Sequence, residues 1–196
     1  MYPKIFQKLI DNFSSLPSVG PKMAERLVLF LFKQDKEKLQ EFADNLINLK
    51  NLQQCQKCFN ISESKECAIC SDSNREQGAI CVVEDPLDII SIERTRIYKG
   101  LYFVLGGTLE SKEGQDSVRI SQLLKRISSE KPQEIIIATN PTTEGDLTAL
   151  YLKRKLQNFN NLKITRLGRG MSTGGDIEYA DEITLSSALT NRTSLK

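Results

Sequence analysis

Apolar positions recur with helical spacing over the first fifty residues. Ile5, Phe6, Leu9, Ile10 and Phe13 form one stripe, and Ala24, Leu27, Val28 and Leu31 form a second. Asp35, a residue suited to an N-cap, opens a predicted third helix with Leu39, Phe42, Ala43, Leu46 and Ile47 on one face. Between the first two helices lies Leu16-Pro17-Ser18-Val19-Gly20-Pro21-Lys22. This reads as a turn with Pro21 at the first position of the next helix, where a missing N–H is no loss.

From residue 79 the texture changes. Ala79-Ile80-Cys81-Val82-Val83 is a short apolar run suited to a buried strand, and Asp85-Pro86 then caps a helix through Arg94. Leu101–Leu105 makes a second strand, ended by Gly106-Gly107. Ile120, Leu123, Leu124 and Ile127 mark a helix that stops before Lys131-Pro132. Glu134–Thr139 is a third strand, followed by a turn at Asn140-Pro141. Leu147, Leu150, Tyr151 and Leu156 line another helix, and Leu162–Leu167 is a fourth strand. Strands alternating with helices predict an α/β fold with a parallel sheet covered on both faces, behind a helical N-terminal segment. The tail from Gly168 is rich in Gly, Ser and Thr, with a short helix expected near Ser186–Leu189.

Composition adds bounds. A chain of 196 residues with 39% hydrophobic and 27% charged content suits one ordinary globular domain or two small ones. The net charge of +2 does not announce a nucleic-acid binder, although residues 1–38 carry seven basic against four acidic residues. Met1-Tyr2-Pro3-Lys4 leads into an amphipathic segment, not an apolar leader, and no apolar run reaches bilayer length, so a cytoplasmic protein is expected. Histidine is absent. Ser-His-Asp and Cys-His nucleophilic systems are therefore excluded within the chain, as are His-ligated catalytic metals.

That absence sharpens the meaning of Cys55-x2-Cys58-x8-Cys67-x2-Cys70. Paired C-x-x-C knuckles across a short loop are what a tetrahedral Zn²⁺ site requires, and without histidine the site is all cysteine. Such a site is closed to water and substrate, hence structural. Two disulfides or four free thiols are the alternatives. Cys81, inside an apolar run, reads as a core residue.

Two further constellations bear on function. A helix, a tight turn ending in Gly20 and a helix opening on Pro21-Lys22 resemble a helix-hairpin-helix element, whose second helix offers N–H groups to a phosphate. Lys22 and Arg26, four residues apart, project from one face beside it. An ordinary helical hairpin with surface charges is the alternative. Ser18 stands where the usual hairpin has glycine.

At the carboxyl ends of predicted strands, where open α/β sheets place their sites, stand Glu84 and Asn140-Pro141-Thr142-Thr143-Glu144-Gly145-Asp146. These resemble the Toprim domain of topoisomerases and primases. Glu84 matches the family glutamate and Glu144-Gly145 the Glu-Gly, but the D-x-D aspartates fall on Asn140 and Thr142. Losing two negative charges weakens a Mg²⁺ site, leaving an acidic cluster of Glu84, Glu144 and Asp146 that a basic partner could read.

In order, the hairpin, the four-cysteine module, Val82-Val83-Glu84, Ala138–Thr142 and Gly174-Gly175-Asp176-Ile177-Glu178-Tyr179-Ala180-Asp181 resemble the RecR family of bacterial recombination mediators over essentially the whole chain. The resemblance implies a helix-hairpin-helix segment (1–54), a four-cysteine (C4-type) zinc finger (55–70), a Toprim domain (78–173) and a tail likened to a Walker B motif (174–196). No Gly-x-x-x-x-Gly-Lys-[Ser/Thr] loop accompanies that tail, so it reads as structural. The family implies a non-enzymatic DNA-repair protein, forming homodimers and tetrameric rings around single- or double-stranded DNA near the nucleoid. It works with RecO, and in many systems RecF, to load RecA. By that analogy Gly20, Lys22 and Arg26 face DNA, and Glu84, Glu144 and Asp146 meet RecO. A metal-dependent Toprim nuclease using Glu84 and Glu144 is the competing reading, and an adaptor that binds only protein a third. The chain departs from the family pattern at Ser18, in the loop 108–116, and at Gly168-Arg169-Gly170.

Overall fold

The apolar stripes of the first fifty residues become three helices, α1 (Lys4–Ser14), α2 (Pro21–Phe32) and α3 (Lys36–Asn48). They belong to a computed structural model that describes residues 2–109 and 118–194. It divides into two compact units, Met1–Leu52 and Gln53–Lys196. The family-departing loop 108–116 lies outside the described residues from position 110 onward.

The first unit has a small core, Ile10, Ala24 and Val28, with Phe6, Phe13 and Val19 packed on it. Helix α3 buries no residue. Its predicted apolar face, including Leu39, Phe42 and Leu46, lines an open groove of about 720 Å³ together with Phe6 and Leu9 of α1 and Phe32 of α2. Three short helices enclose too little volume to bury every stripe they carry. Asp35 sits at the N-cap position of α3 but makes no capping bond. Its carboxylate is 3.7 Å from the Lys38 ammonium instead.

The second unit begins with a short antiparallel hairpin, β1 (Gln53–Gln54) and β2 (Ile61–Ser62), and a single helical turn, α4 (Ala68–Ser71). Then come β3 (Glu76–Val83), α5 (Pro86–Glu93), β4 (Gly100–Val104), α6 (Ile120–Glu130), β5 (Glu134–Ala138), α7 (Thr143–Leu156), β6 (Lys163–Arg166) and α8 (Glu182–Thr190). The four strands β4-β3-β5-β6 form one sheet, every neighbouring pair parallel.

Strand alternation divides the core. Ile80, Val82, Leu101, Phe103, Ile135 and Ile137 point to the face covered by Leu123 and Ile127 of α6 and Ala149, Leu152 and Leu156 of α7. Cys81, Val83, Tyr102, Val104 and Ala138 point to the other, where Ile89 of α5 and Ile69 of α4 pack. Both faces are therefore covered, as the βα alternation predicts. The capping box at α5 is complete: Asp85 Oδ1 accepts from the Leu87 N–H at 2.9 Å, and Asp88 Oδ2 from the Asp85 N–H at 2.9 Å.

Two boundaries differ from the sequence reading by more than one residue. The first strand starts at Glu76, because Glu76 is drawn in beside Gly100 of β4. The tail helix starts at Glu182, because Asp181 caps it, accepting from the Thr184 N–H at 2.8 Å. The buried face of α7 is Gly145, Thr148, Ala149, Leu152 and Leu156, whereas Leu147 and Leu150 are exposed.

Candidate functional site

Four sulfurs converge in the second unit. The ligand atoms of Cys55, Cys58, Cys67 and Cys70 all lie within 4.8 Å of one another, and the first three residues are buried. Backbone turns aim them. Cys55 N–H donates to the Asn60 carbonyl at 2.8 Å and Phe59 N–H to the Cys55 carbonyl at 2.9 Å, closing the first knuckle with Phe59 at a left-handed φ of 62°. Cys67 N–H donates to Cys55 Sγ at 3.3 Å. An N–H aimed at sulfur favours the thiolate, the form that binds metal. A hydrogen bond from Cys58 and the charge of nearby Arg126 together hold the Cys70 thiol down at about 6. The cluster fits a structural Zn²⁺ site: four sulfurs, no open position, and a buried guanidinium edge, Arg126 Nη2, that no acceptor among the described residues answers. Bound there, zinc supplies cross-linking and no reaction chemistry.

This module docks on the sheet. The Cys58 carbonyl accepts from Val104 N–H of edge strand β4 at 2.8 Å. The Lys57 carbonyl accepts from Arg126 Nη1 of α6 at 3.2 Å. Phe59 meets Phe103 edge-on at 5.4 Å between centroids. The knuckle thus covers part of the outer edge of β4, where unpaired backbone groups would otherwise be exposed.

The carboxylates at the carboxyl end of the sheet behave differently. Glu84, at the end of β3, is gripped by Asn140 at the end of β5: its Oε1 accepts from the Asn140 N–H at 2.8 Å and its Oε2 from Asn140 Nδ2 at 2.7 Å. A neutral amide with two donors stands where a D-x-D site has a carboxylate, so the group that would share a cation with Glu84 instead satisfies it. Thr142, the other altered position, caps α7 by accepting from the Gly145 N–H at 3.1 Å. A Cβ on Gly145 would collide with the Asn140 carbonyl oxygen and press on Glu84 Oε1, so this turn admits only glycine.

Asp146 is held by Arg166, whose Nη2 lies 2.6 Å from Oδ1, and by Arg169, which donates to both carboxylate oxygens. Those bonds, Arg169 first, pull its carboxyl down to about 2. Glu144 is exposed. Among the described residues, the four cysteines are the one group of three or more ligating side chains close enough to hold a metal. Glu84, Glu144 and Asp146 do not come together as a cation site. Arg169, the unexplained charge of the Gly168–Gly170 turn, takes its meaning from Asp146; nothing local in the sequence marks that pairing, nor the anchoring by Arg126.

In the first unit, the turn before α2 keeps the left-handed conformation despite its serine: Ser18 has φ 65°. Gly20 occupies the N-cap of α2 with extended backbone, contributes no side-chain cap, and faces open space where a Cβ would meet nothing within 4 Å. Lys22 and Arg26 are exposed one turn apart. Among the described residues, no helix is long and apolar enough to cross a membrane.

Comparison with family models follows the same order along the chain. A model described as "RecR, helix-hairpin-helix" matches residues 6–50, and the model of the RecR four-cysteine zinc finger domain matches 52–72. "Toprim domain" matches residues 78–168, and "RecR, C-terminal" matches 170–193. These domains support a recombination and repair role with DNA binding. Matched by these models in sequence from residue 6 to residue 193, the chain belongs to the RecR family.

Proposed function

We propose that this chain is a non-enzymatic recombination mediator, a clamp-like homodimer or tetramer that holds single- or double-stranded DNA in the cytoplasm at the nucleoid. It acts with RecO and RecF to load RecA on single strands. The single observation that carries the non-enzymatic part is the Asn140 grip on Glu84, which engages both oxygens of the family glutamate that follows β3. The segments 1–54, 55–70, 78–173 and 174–196 then divide the labour as DNA contact, zinc staple, Toprim surface and tail. DNA contact falls on Gly20, Lys22 and Arg26. The bare N-cap supports this, since a phosphate oxygen can reach backbone N–H groups that no side chain covers. The apolar groove of the first unit supports assembly, because a second copy would bury it. A RecO contact falls on the Toprim rim, where Glu144 is exposed and Glu84 and Asp146 are fixed by their own partners.

Phosphate contact without base readout predicts a steep, sequence-independent salt dependence. Lys22→Ala with Arg26→Ala should weaken binding about equally across DNA sequences and lower the salt slope by about 2 per subunit engaged. Fluorescence anisotropy over a salt series measures it. An unchanged slope with the fold intact would remove this face from the DNA site.

A further inference from the structure

Arg126 is buried, its side chain 6% exposed, yet one edge of its guanidinium is unused among the described residues. Nε donates to Glu130 Oε2 at 2.8 Å. Nη1 donates to the Tyr102 carbonyl at 2.8 Å and to the Lys57 carbonyl at 3.2 Å. Nη2 has no partner. A buried donor left unpaired costs stability, more so on a charged group. The Lys57 carbonyl belongs to the first knuckle, between Cys55 and Cys58, so the guanidinium lies against the zinc loop.

That loop has an unmet electrostatic need. Four thiolates around Zn²⁺ carry a net charge of about −2, in a site three of whose ligands are buried. Of the two lysines on the loop, Lys57 is taken by Glu66 at 2.9 Å and Lys65 is exposed, so neither is a buried counter-charge. Glu130 answers the Nε side of Arg126 only. The Nη2 edge is thus a buried positive donor without a partner among the described residues, on a side chain already bonded to a loop that becomes anionic when loaded.

We propose that Arg126 is the counter-cation of the zinc–tetrathiolate cluster, its free Nη2 edge donating N–H groups to the sulfur shell. It is a positioning residue: it ties α6, the β4 carbonyl of Tyr102 and the first knuckle together, and it lowers the electron density on the sulfurs that hold the metal. Arg126 thereby adds to the zinc site a residue that no cysteine spacing marks.

The test uses the full-length chain loaded with one equivalent of Zn²⁺ or Co²⁺. Arg126→Met should speed zinc transfer to a chromogenic chelator about tenfold. In the Co²⁺ form its sulfur-to-metal charge-transfer band should move to longer wavelength, because thiolates stripped of a donor are easier to oxidise. Arg126→Lys keeps a charge but cannot serve both the carbonyls and the sulfurs, so about threefold faster release and a smaller band shift are expected. Faster release with an unmoved cobalt band would mean structural loosening only and would overturn the proposal. Should Arg126→Met not fold, Arg126→Lys decides: release and spectrum equal to wild type overturn it, and the intermediate shifts sustain it.

Discussion

The cysteines of residues 55–70 and the carboxylates around Glu84 are both clusters of metal-binding residue types, placed in the same unit, and they differ in what their neighbours do. The four sulfurs converge within 4.8 Å, and the neighbouring groups add donors to them: the Cys67 N–H and the Arg126 charge. These favour anionic sulfur and leave its metal-binding capacity to zinc. At the other cluster two of the three carboxylates already hold protein donors. Asn140 donates to both oxygens of Glu84, two arginines hold Asp146, and Glu144 is exposed to solvent. A cation site needs acceptors that lack protein donors as much as it needs the right residue types.

The largest expected effect lies on the cysteine side. Cys58→Ser, or chelation of the metal, should cost about 4 kcal/mol or more, since binding and folding free energy are one quantity at a structural zinc site. Denaturant unfolding with and without chelator measures it. Unfolding midpoints that ignore the metal would erase the contrast between the two clusters. The loss should also loosen the β4 edge, because the Cys58 carbonyl is the acceptor for Val104 N–H.

A smaller effect, with a diagnostic sign, belongs to Asn140→Asp. It replaces the Nδ2 donor by a second carboxylate against Glu84, so stability at neutral pH should fall by about 2 kcal/mol. Excess Mg²⁺ or mild acid should restore much of that, because either one removes the like-charge repulsion. A variant as stable as wild type, and indifferent to Mg²⁺, would show that the amide is not what closes the site.

The smallest effect is at Asp146. Its carboxyl sits at about 2 in the folded chain against an ordinary 3.8, so its contribution is present above 3.8 and is lost as pH falls through about 2. The side chain is 42% exposed, so screening keeps the contribution under about 1 kcal/mol. Asp146→Asn should lower stability by that small amount at neutral pH, with the deficit shrinking below pH 3.8 and in high salt. Urea titrations across that range read it. A deficit independent of both pH and salt would mean that packing, not charge, joins Asp146 to Arg166 and Arg169.

Much of the architecture was legible because local rules and tertiary environment agree. The apolar run at Ala79–Val83 is buried on both faces from Ile80 onward, and Asp85 with Asp88 forms the cap that Asp-Pro announces. Reading failed where packing chose among equivalent local options. Leu147 and Leu150 are apolar at helical spacing, yet the sheet takes the face with Thr148, Ala149 and Leu152. Thr148 fits there because its hydroxyl donates to the Glu144 carbonyl at 2.7 Å and accepts from the Leu109 N–H at 2.8 Å. Likewise, α3 carries a clean apolar stripe that its own unit does not bury. Ser18 adopts φ 65° although serine disfavours it, since the turn sits between two packed helices that set the chain path.

By itself, then, the sequence determined the all-cysteine metal set, through spacing and the absence of histidine, and the βα order that makes the sheet parallel. These depend on neighbours along the chain. Tertiary structure alone decided that the cysteine module covers part of the edge of β4, that Arg126 reaches the knuckle from α6, and that Asn140 and Arg169 engage carboxylates far from them in sequence. Those contacts span tens of residues, and no periodicity or short motif encodes a pairing that only the folded sheet brings within hydrogen-bonding distance.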